Sequence, residues 1–159
     1  MKKTNAARIL DRLKINYELI EYEVDESDLS AVHLAEKAGV PIEKVFKTLV
    51  LEGDKTGHFV CIIQGGDEID LKKAALASSN KKVAMIPMKD LEPLTGYIRG
   101  GCSPLGMKKN FPVYIDTSAF DQPFIYISAG TRGIQIKLTT ADLVIASKAK
   151  KAEIIREKD

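Results

Sequence analysis

The chain predicts an α+β fold, a curved and largely antiparallel sheet flanked by helices, in one domain covering residues 1–159. Three observations point there. Short β-rich runs recur at residues 17–22, 45–51, 58–63 and 133–138, the first and last of them with apolar alternation. The turn Gly53-Asp54-Lys55-Thr56-Gly57 joins two of those runs as a hairpin. Helical stretches interrupt the strands without the regular βαβ spacing that a doubly wound parallel sheet needs.

Taken in order, Ala7, Ile9, Leu10, Leu13 and Ile15 have near-helical spacing, and Thr4 or Asn5 caps that helix. Tyr17 to Tyr22 alternates as a strand, and the acidic Asp25-Glu26-Ser27-Asp28 follows as a loop. Ser30 caps a helix through Ala38, which Gly39 ends and Pro41 prevents from continuing. After the hairpin, Asp70 caps a helix from Leu71 to about Ser79 that offers Leu71, Ala74, Ala75 and Ala77 for burial. A short strand at 83–86 and a short helix at 88–94 lead into a glycine-rich stretch. Residues 111–115 and 124–128 read as strands, then 133–138, and Thr140 caps a helix to about Ala146. The lysine-rich segment from Lys148 to Asp159 reads as a solvated, partly frayed end.

A chain of 159 residues is long enough to bury a real core. Net charge is +2, so no polyelectrolyte character demands a nucleic-acid partner, although a local basic patch can still meet a phosphate backbone. Cys61 and Cys102 stand far apart, in neither a disulfide framework nor a zinc pattern, and both read as small core-filling residues. The charged N-terminus does not resemble a signal peptide, and no apolar run has membrane-spanning length. These features predict a cytoplasmic protein.

The chemistry centres on Gly96-Tyr97-Ile98-Arg99-Gly100-Gly101-Cys102-Ser103-Pro104-Leu105-Gly106, read as a strand running into a tight loop. Three pieces are expected to converge on it: Phe46-Lys47-Thr48, Gly65-Gly66-Asp67 and Ser128-Ala129-Gly130. Gly100-Gly101 either forms a structural turn or presents backbone N–H groups to a carbonyl or phosphate oxygen. Lys47, in the middle of an apolar strand, either snorkels to the open face or holds an anion in a pocket. The spacing matches neither a Walker A loop nor a dinucleotide fingerprint, which argues against ATP and NAD. His33 and His58 have no nucleophile beside them in sequence. Without a histidine base or a metal motif, catalysis falls to positioned backbone donors, a cation and the substrate's own functional group.

Phe46-Lys47-Thr48-Leu49-Val50, the 96–106 stretch, and Tyr126-Ile127-Ser128-Ala129-Gly130 with Arg132-Gly133 resemble the YbaK/EbsC family, relatives of the editing domain inserted in bacterial prolyl-tRNA synthetase. The resemblance covers nearly the whole chain, in order. It implies a barrel-like curl of the mixed sheet and trans-editing deacylation of Cys-tRNA(Pro), and also of Cys-tRNA(Cys). Prolyl-tRNA synthetase mischarges cysteine because the two amino acids are close in size, and a small pocket alone cannot reject it. The resemblance further implies substrate-assisted chemistry, in which the cysteinyl thiol attacks its own ester carbonyl.

Carried over residue by residue, Lys47 is the essential lysine, gripping the phosphate or ribose at the tRNA 3′ end, and Gly100 and Gly101 join it as the catalytic group. Tyr22, Thr48, Ser128 and Gly130 line the aminoacyl pocket, Asp67 is the polar residue after the second hairpin strand, and Arg99 contacts tRNA or backbone. Ser30 stands where the best-known members carry an aromatic pocket residue, a departure that bears on amino-acid specificity. Cys102 lacks a base to activate it. No cofactor and no metal are implied. The partners are the mischarged tRNA 3′ end and a complex with prolyl-tRNA synthetase, with no membrane and no DNA. The rivals are an Ala-tRNA(Pro) deacylase on the same fold and a non-catalytic tRNA- or synthetase-binding module.

Overall fold

The computed structural model describes residues 3–157, and its strands pair into two sheets. The larger is built on the hairpin. Strands β2 (Phe46–Gly53) and β3 (Gly57–Gln64) pair antiparallel throughout, from Phe46 opposite Gln64 to Gly53 opposite Gly57. Strand β4 (Val83–Met85) adds antiparallel to β2, but only opposite Leu51, Glu52 and Gly53. On the other side β5 (Val113–Asp116) runs parallel to β3, and β8 (Lys150–Ala152) parallel to β5. The smaller sheet places β7 (Ile134–Thr139) between β1 (Glu18–Glu21) and β6 (Phe124–Ser128), all antiparallel. One parallel bridge, Val45 to Tyr126, ties the sheets where β2 begins.

Strand β3 explains the need for two layers of core. Its run Phe59-Val60-Cys61-Ile62-Ile63 is buried at every position, as in a central strand covered on both faces. Phe46, Val50, Val60 and Ile62 pack toward Ile125, Ile127, Ile136 and Leu10. Leu51, Phe59, Cys61 and Ile63 face the opposite way, onto Ala74 and Ile154.

The helices start where their caps put them. Thr4 Oγ1 accepts from Ala7 N at 3.2 Å to open α1 (Asn5–Arg12). Ser30 Oγ accepts from His33 N at 3.2 Å to open α2 (Ala31–Ala38), and Asp70 accepts from Lys73 N to open α3 (Leu71–Ser78). Gly39 ends α2 in the left-handed region, at φ 70°. On α3, Ala74 and Ala75 are buried as expected, whereas Leu71 and Leu76 are exposed. A 3₁₀ turn at Met88–Asp90 runs into α4 (Leu91–Thr95). Helix α5 spans Thr140–Ser147, and its cap is Thr139, one residue before the expected Thr140.

Two further expectations fail. Tyr97 and Ile98 form no strand: Gly96 ends α4, and the chain is irregular from there to Pro112. Internal bonds hold that stretch instead, with the Tyr97 hydroxyl donating to Leu105 O at 2.5 Å and Thr95 Oγ1 accepting from Tyr97 N at 3.0 Å. The lysine-rich end is not frayed through its described part. It supplies β8, buries Ile154 completely, and bridges Ile155 to Ile69. No helix among the described residues is long and apolar enough to cross a membrane.

Candidate functional site

Because β4 covers β2 only from Leu51 onward, with one further bond from Ile86 N to Val50 O, the first half of β2 borders a gap between the two sheets. A cavity of about 350 Å³ occupies that gap. Lys47, Thr48 and Leu49 line it from β2, Ser128 and Gln135 from β6 and β7, Leu29, Ser30 and Ala31 from the start of α2, and Arg99, Gly100 and Cys102 from the glycine loop. The four stretches singled out in sequence therefore do meet, through Lys47, Gly65, Gly100 and Ser128.

Strand alternation puts Lys47 and Thr48 on opposite faces of β2, so the cavity wraps the strand's open edge. The Lys47 ammonium donates to Gly65 O at 3.1 Å, at the end of β3. Burial holds its pKa below the ordinary lysine value, while the Asp67 and Glu68 carboxylates pull it back up. The chain must be glycine at position 65. A Cβ there would run into the Ala31 side chain and lie 3.3 Å from Val45 O, which accepts from Gly65 N at 2.7 Å.

On the other face, Thr48 Oγ1 and Gln135 Oε1 are buried with no hydrogen-bond partner among the described residues. Gln135 is 2% exposed and stands opposite Ser128 in the β6–β7 register. The Ser128 hydroxyl accepts from Gly130 N at 3.1 Å, leaving its own proton to donate. Unsatisfied buried polar atoms are rare, and both of these belong to residues that line the cavity. Sequence reasoning missed Gln135. Its signal was a polar residue at an inward position of the run Ile134-Gln135-Ile136.

The glycine loop is braced from outside. Arg132 Nε donates to Arg99 O at 2.8 Å, and its guanidinium lies 3.9 Å from Glu26. Gly101 packs on the Thr131 and Arg132 backbone, where a Cβ would sit at 3.3 Å. The Gly101 N–H donates to Ile98 O at 3.0 Å. It is thus committed inside the loop rather than available as a substrate donor, and Gly100, at φ 84°, is the member of the pair that lines the cavity.

The remaining expected residues lie near the cavity without lining it. Tyr22 borders a small adjoining cleft shared with Ser30, His33 and Gly100, and its N–H donates to Gly133 O at 2.9 Å. Gly130, at φ 102°, lies against the Tyr97 ring. Asp67 is buried and borders a separate polar cleft with Lys73 and Asp116, so its link to the cavity is its charge beside Lys47. The Cys102 thiol does line the cavity, but burial pushes its pKa up to about 12, which keeps it protonated and a poor nucleophile. His33 sits 3.3 Å from the Asp25 carboxylate and His58 3.3 Å from that of Glu52.

The half-buried Lys47 and the braced glycine loop thus border a partly open, largely apolar cavity that both sheets line. The chain belongs to the aminoacyl-tRNA editing domain family, which residues 26–145 match. It is 48% identical over 153 residues, 96% of this chain and 93% of the other, to EbsC of Enterococcus faecalis, named as a candidate Cys-tRNA(Pro)/Cys-tRNA(Cys) deacylase. It is 28% identical over 121 residues to the uncharacterized protein YwhH of Bacillus subtilis, 76% of each chain. Two solved structures share the fold at low identity. A candidate trans-editing enzyme for prolyl tRNA synthetase superposes with a TM-score of 0.82 at 22% identity, covering 99% of this chain and 100% of that one. The hypothetical protein APE2540 gives 0.87 at 18% identity, covering 96% and 100%.

Proposed function

We propose that the protein is a trans-editing deacylase that removes cysteine from Cys-tRNA(Pro), and also from Cys-tRNA(Cys). The observation that carries this reading is the 48% identity with EbsC over nearly the whole of both chains. The cavity supports it, since its size suits the end of a tRNA and not the tRNA body. We place the reaction in the cytoplasm, with prolyl-tRNA synthetase delivering the mischarged tRNA.

In the proposed reaction the thiol of the esterified cysteine attacks its own carbonyl carbon. The carbon–oxygen ester bond breaks, the thiol proton passes to the departing ribose oxygen, and a cyclic thiolactone leaves a free tRNA 3′ end. No water is consumed in that step. The protein's part is positioning and electrostatics. Lys47 holds the phosphate or ribose. The Gly100 backbone faces the developing oxyanion. Gln135 Oε1 and Thr48 Oγ1 receive the α-ammonium, and the Ser128 hydroxyl fixes the carbonyl end.

Single-turnover deacylation of Cys-tRNA(Pro) and Ala-tRNA(Pro), with wild type and Lys47→Ala, tests this. The expected outcome is rapid loss of cysteine alone, with Lys47→Ala slower by about 10²-fold or more. Faster loss of alanine would discard the thiol-assisted route, because alanine has no thiol. A Lys47→Ala chain that deacylates at the wild-type rate would remove Lys47 from the machinery.

A further inference from the structure

The geometry points to a second subsite in the same cavity, in which the ledge formed by Leu49, Met85 and Met88 receives the base of the terminal adenosine, with Lys47 set for the adjoining phosphate. This rests on the deacylase reading and adds a binding determinant to it.

The argument starts from register. Leu51 pairs with Met85 across β2 and β4, and paired residues project to the same face. Lys47, Leu49 and Leu51 alternate onto that face too, so Lys47, Leu49 and Met85 share one side of the sheet. The unpartnered polar atoms of Thr48 and Gln135 belong to the other side of β2. The cavity thus carries the unpartnered oxygens of Thr48 and Gln135 within a largely apolar inner wall and, on the other side of β2, an apolar ledge beside Lys47 that a small aminoacyl group would not reach.

The ledge stays open because β4 stops at Met85 and the chain turns away through the 3₁₀ turn at Met88. Met85 is 44% and Met88 58% exposed, while both line the cavity. Two flexible, polarizable thioethers next to a fixed ammonium match a nucleotide: a flat π-face lies on the sulfurs and the aliphatic floor, and the phosphate meets the cation. An aminoacyl ester joins its amino acid to the ribose of the last tRNA nucleotide. A cysteinyl group at the inner wall therefore carries that adenosine to the mouth. A purine covers more of the ledge than a pyrimidine does.

Methyl-¹³C-methionine labelling of the full chain tests the subsite without any deacylation assay. Met107, which packs against the main core, serves as the internal control. Titration with AMP is expected to shift the Met85 and Met88 methyl signals and leave Met107 in place. UMP should shift them less at equal concentration, and ribose 5-phosphate should leave all three unmoved. Unmoved Met85 and Met88 signals in AMP, or equal shifts with ribose 5-phosphate, would overturn the subsite. In single turnover, Met85→Ala/Met88→Ala is expected to raise the half-saturating protein concentration for Cys-tRNA(Pro) at least fivefold while keeping the plateau rate. An unchanged half-saturation would also overturn it. Failure of the wild type to deacylate would instead strike the functional reading, and the nucleotide titration would still report on the ledge.

Discussion

Burying the Lys47 ammonium on β2 gives stability a pH dependence whose sign is fixed. In the unfolded chain the lysine titrates at its ordinary 10.5, and in the folded chain below that value, chiefly through burial. Below both values the group is charged in both states, and the folded state bears the desolvation cost. As pH rises through the lowered folded value toward 10.5, the unfolded chain holds more protons, so stability increases and the cost is relieved. Lys47→Met is therefore expected to be more stable than wild type at neutral pH, with the difference closing as pH approaches 10.5, measured by urea unfolding across a pH series. A less stable variant at neutral pH would mean that the bond to Gly65 O outweighs burial. Gln135 gives a second prediction. Its buried oxygen has no partner among the described residues, so Gln135→Leu should unfold within about 1 kcal/mol of wild type. The same variant should deacylate about tenfold more slowly in single turnover, as the loss of one hydrogen bond to a charged group implies. An unchanged rate would take Gln135 out of contact with substrate.

Among the elements, β8 is the one whose character the sequence hides. Lys150 and Lys151 are exposed, as the charge run suggests, and they blunt a sheet edge that would otherwise pair with another chain. Two residues beyond β8, Ile154 is fully buried and donates its N–H to the Asp116 carboxylate at 3.0 Å. Ile154→Ala should cost about 2–5 kcal/mol in urea unfolding. A loss below about 1 kcal/mol would show that this end adds little to the fold. The helices behave differently. Ser30, Asp70 and Thr4 cap them within three residues, so local chemistry suffices to place their starts. The glycine loop lies between these cases. Its glycines were legible as a tight turn, but the bond committing Gly101 to Ile98 and the Arg132 brace come from its folding back on itself and from a turn about thirty residues later.

For the whole molecule, net charge +2 supplies no strong electrostatic grip on a tRNA body. Naked tRNA(Pro) is expected to bind weakly, with affinity that falls steeply as salt rises, and adding prolyl-tRNA synthetase should tighten binding in a filter or fluorescence assay. Nanomolar, salt-insensitive preference for one naked tRNA would contradict this. The sequence by itself determined most of the helices and strands, their order and the hairpin, because periodicity, caps and turn glycines act between near neighbours. Only the tertiary structure decided that the strands form two sheets, that the charged end closes one of them, and that Gln135 rather than Gly130 lines the cavity. The cavity exists because β4 stops short of the first half of β2 while β6 and β7 approach from the other sheet. That is a fact about separation in space between residues far apart in the chain, which no local pattern encodes.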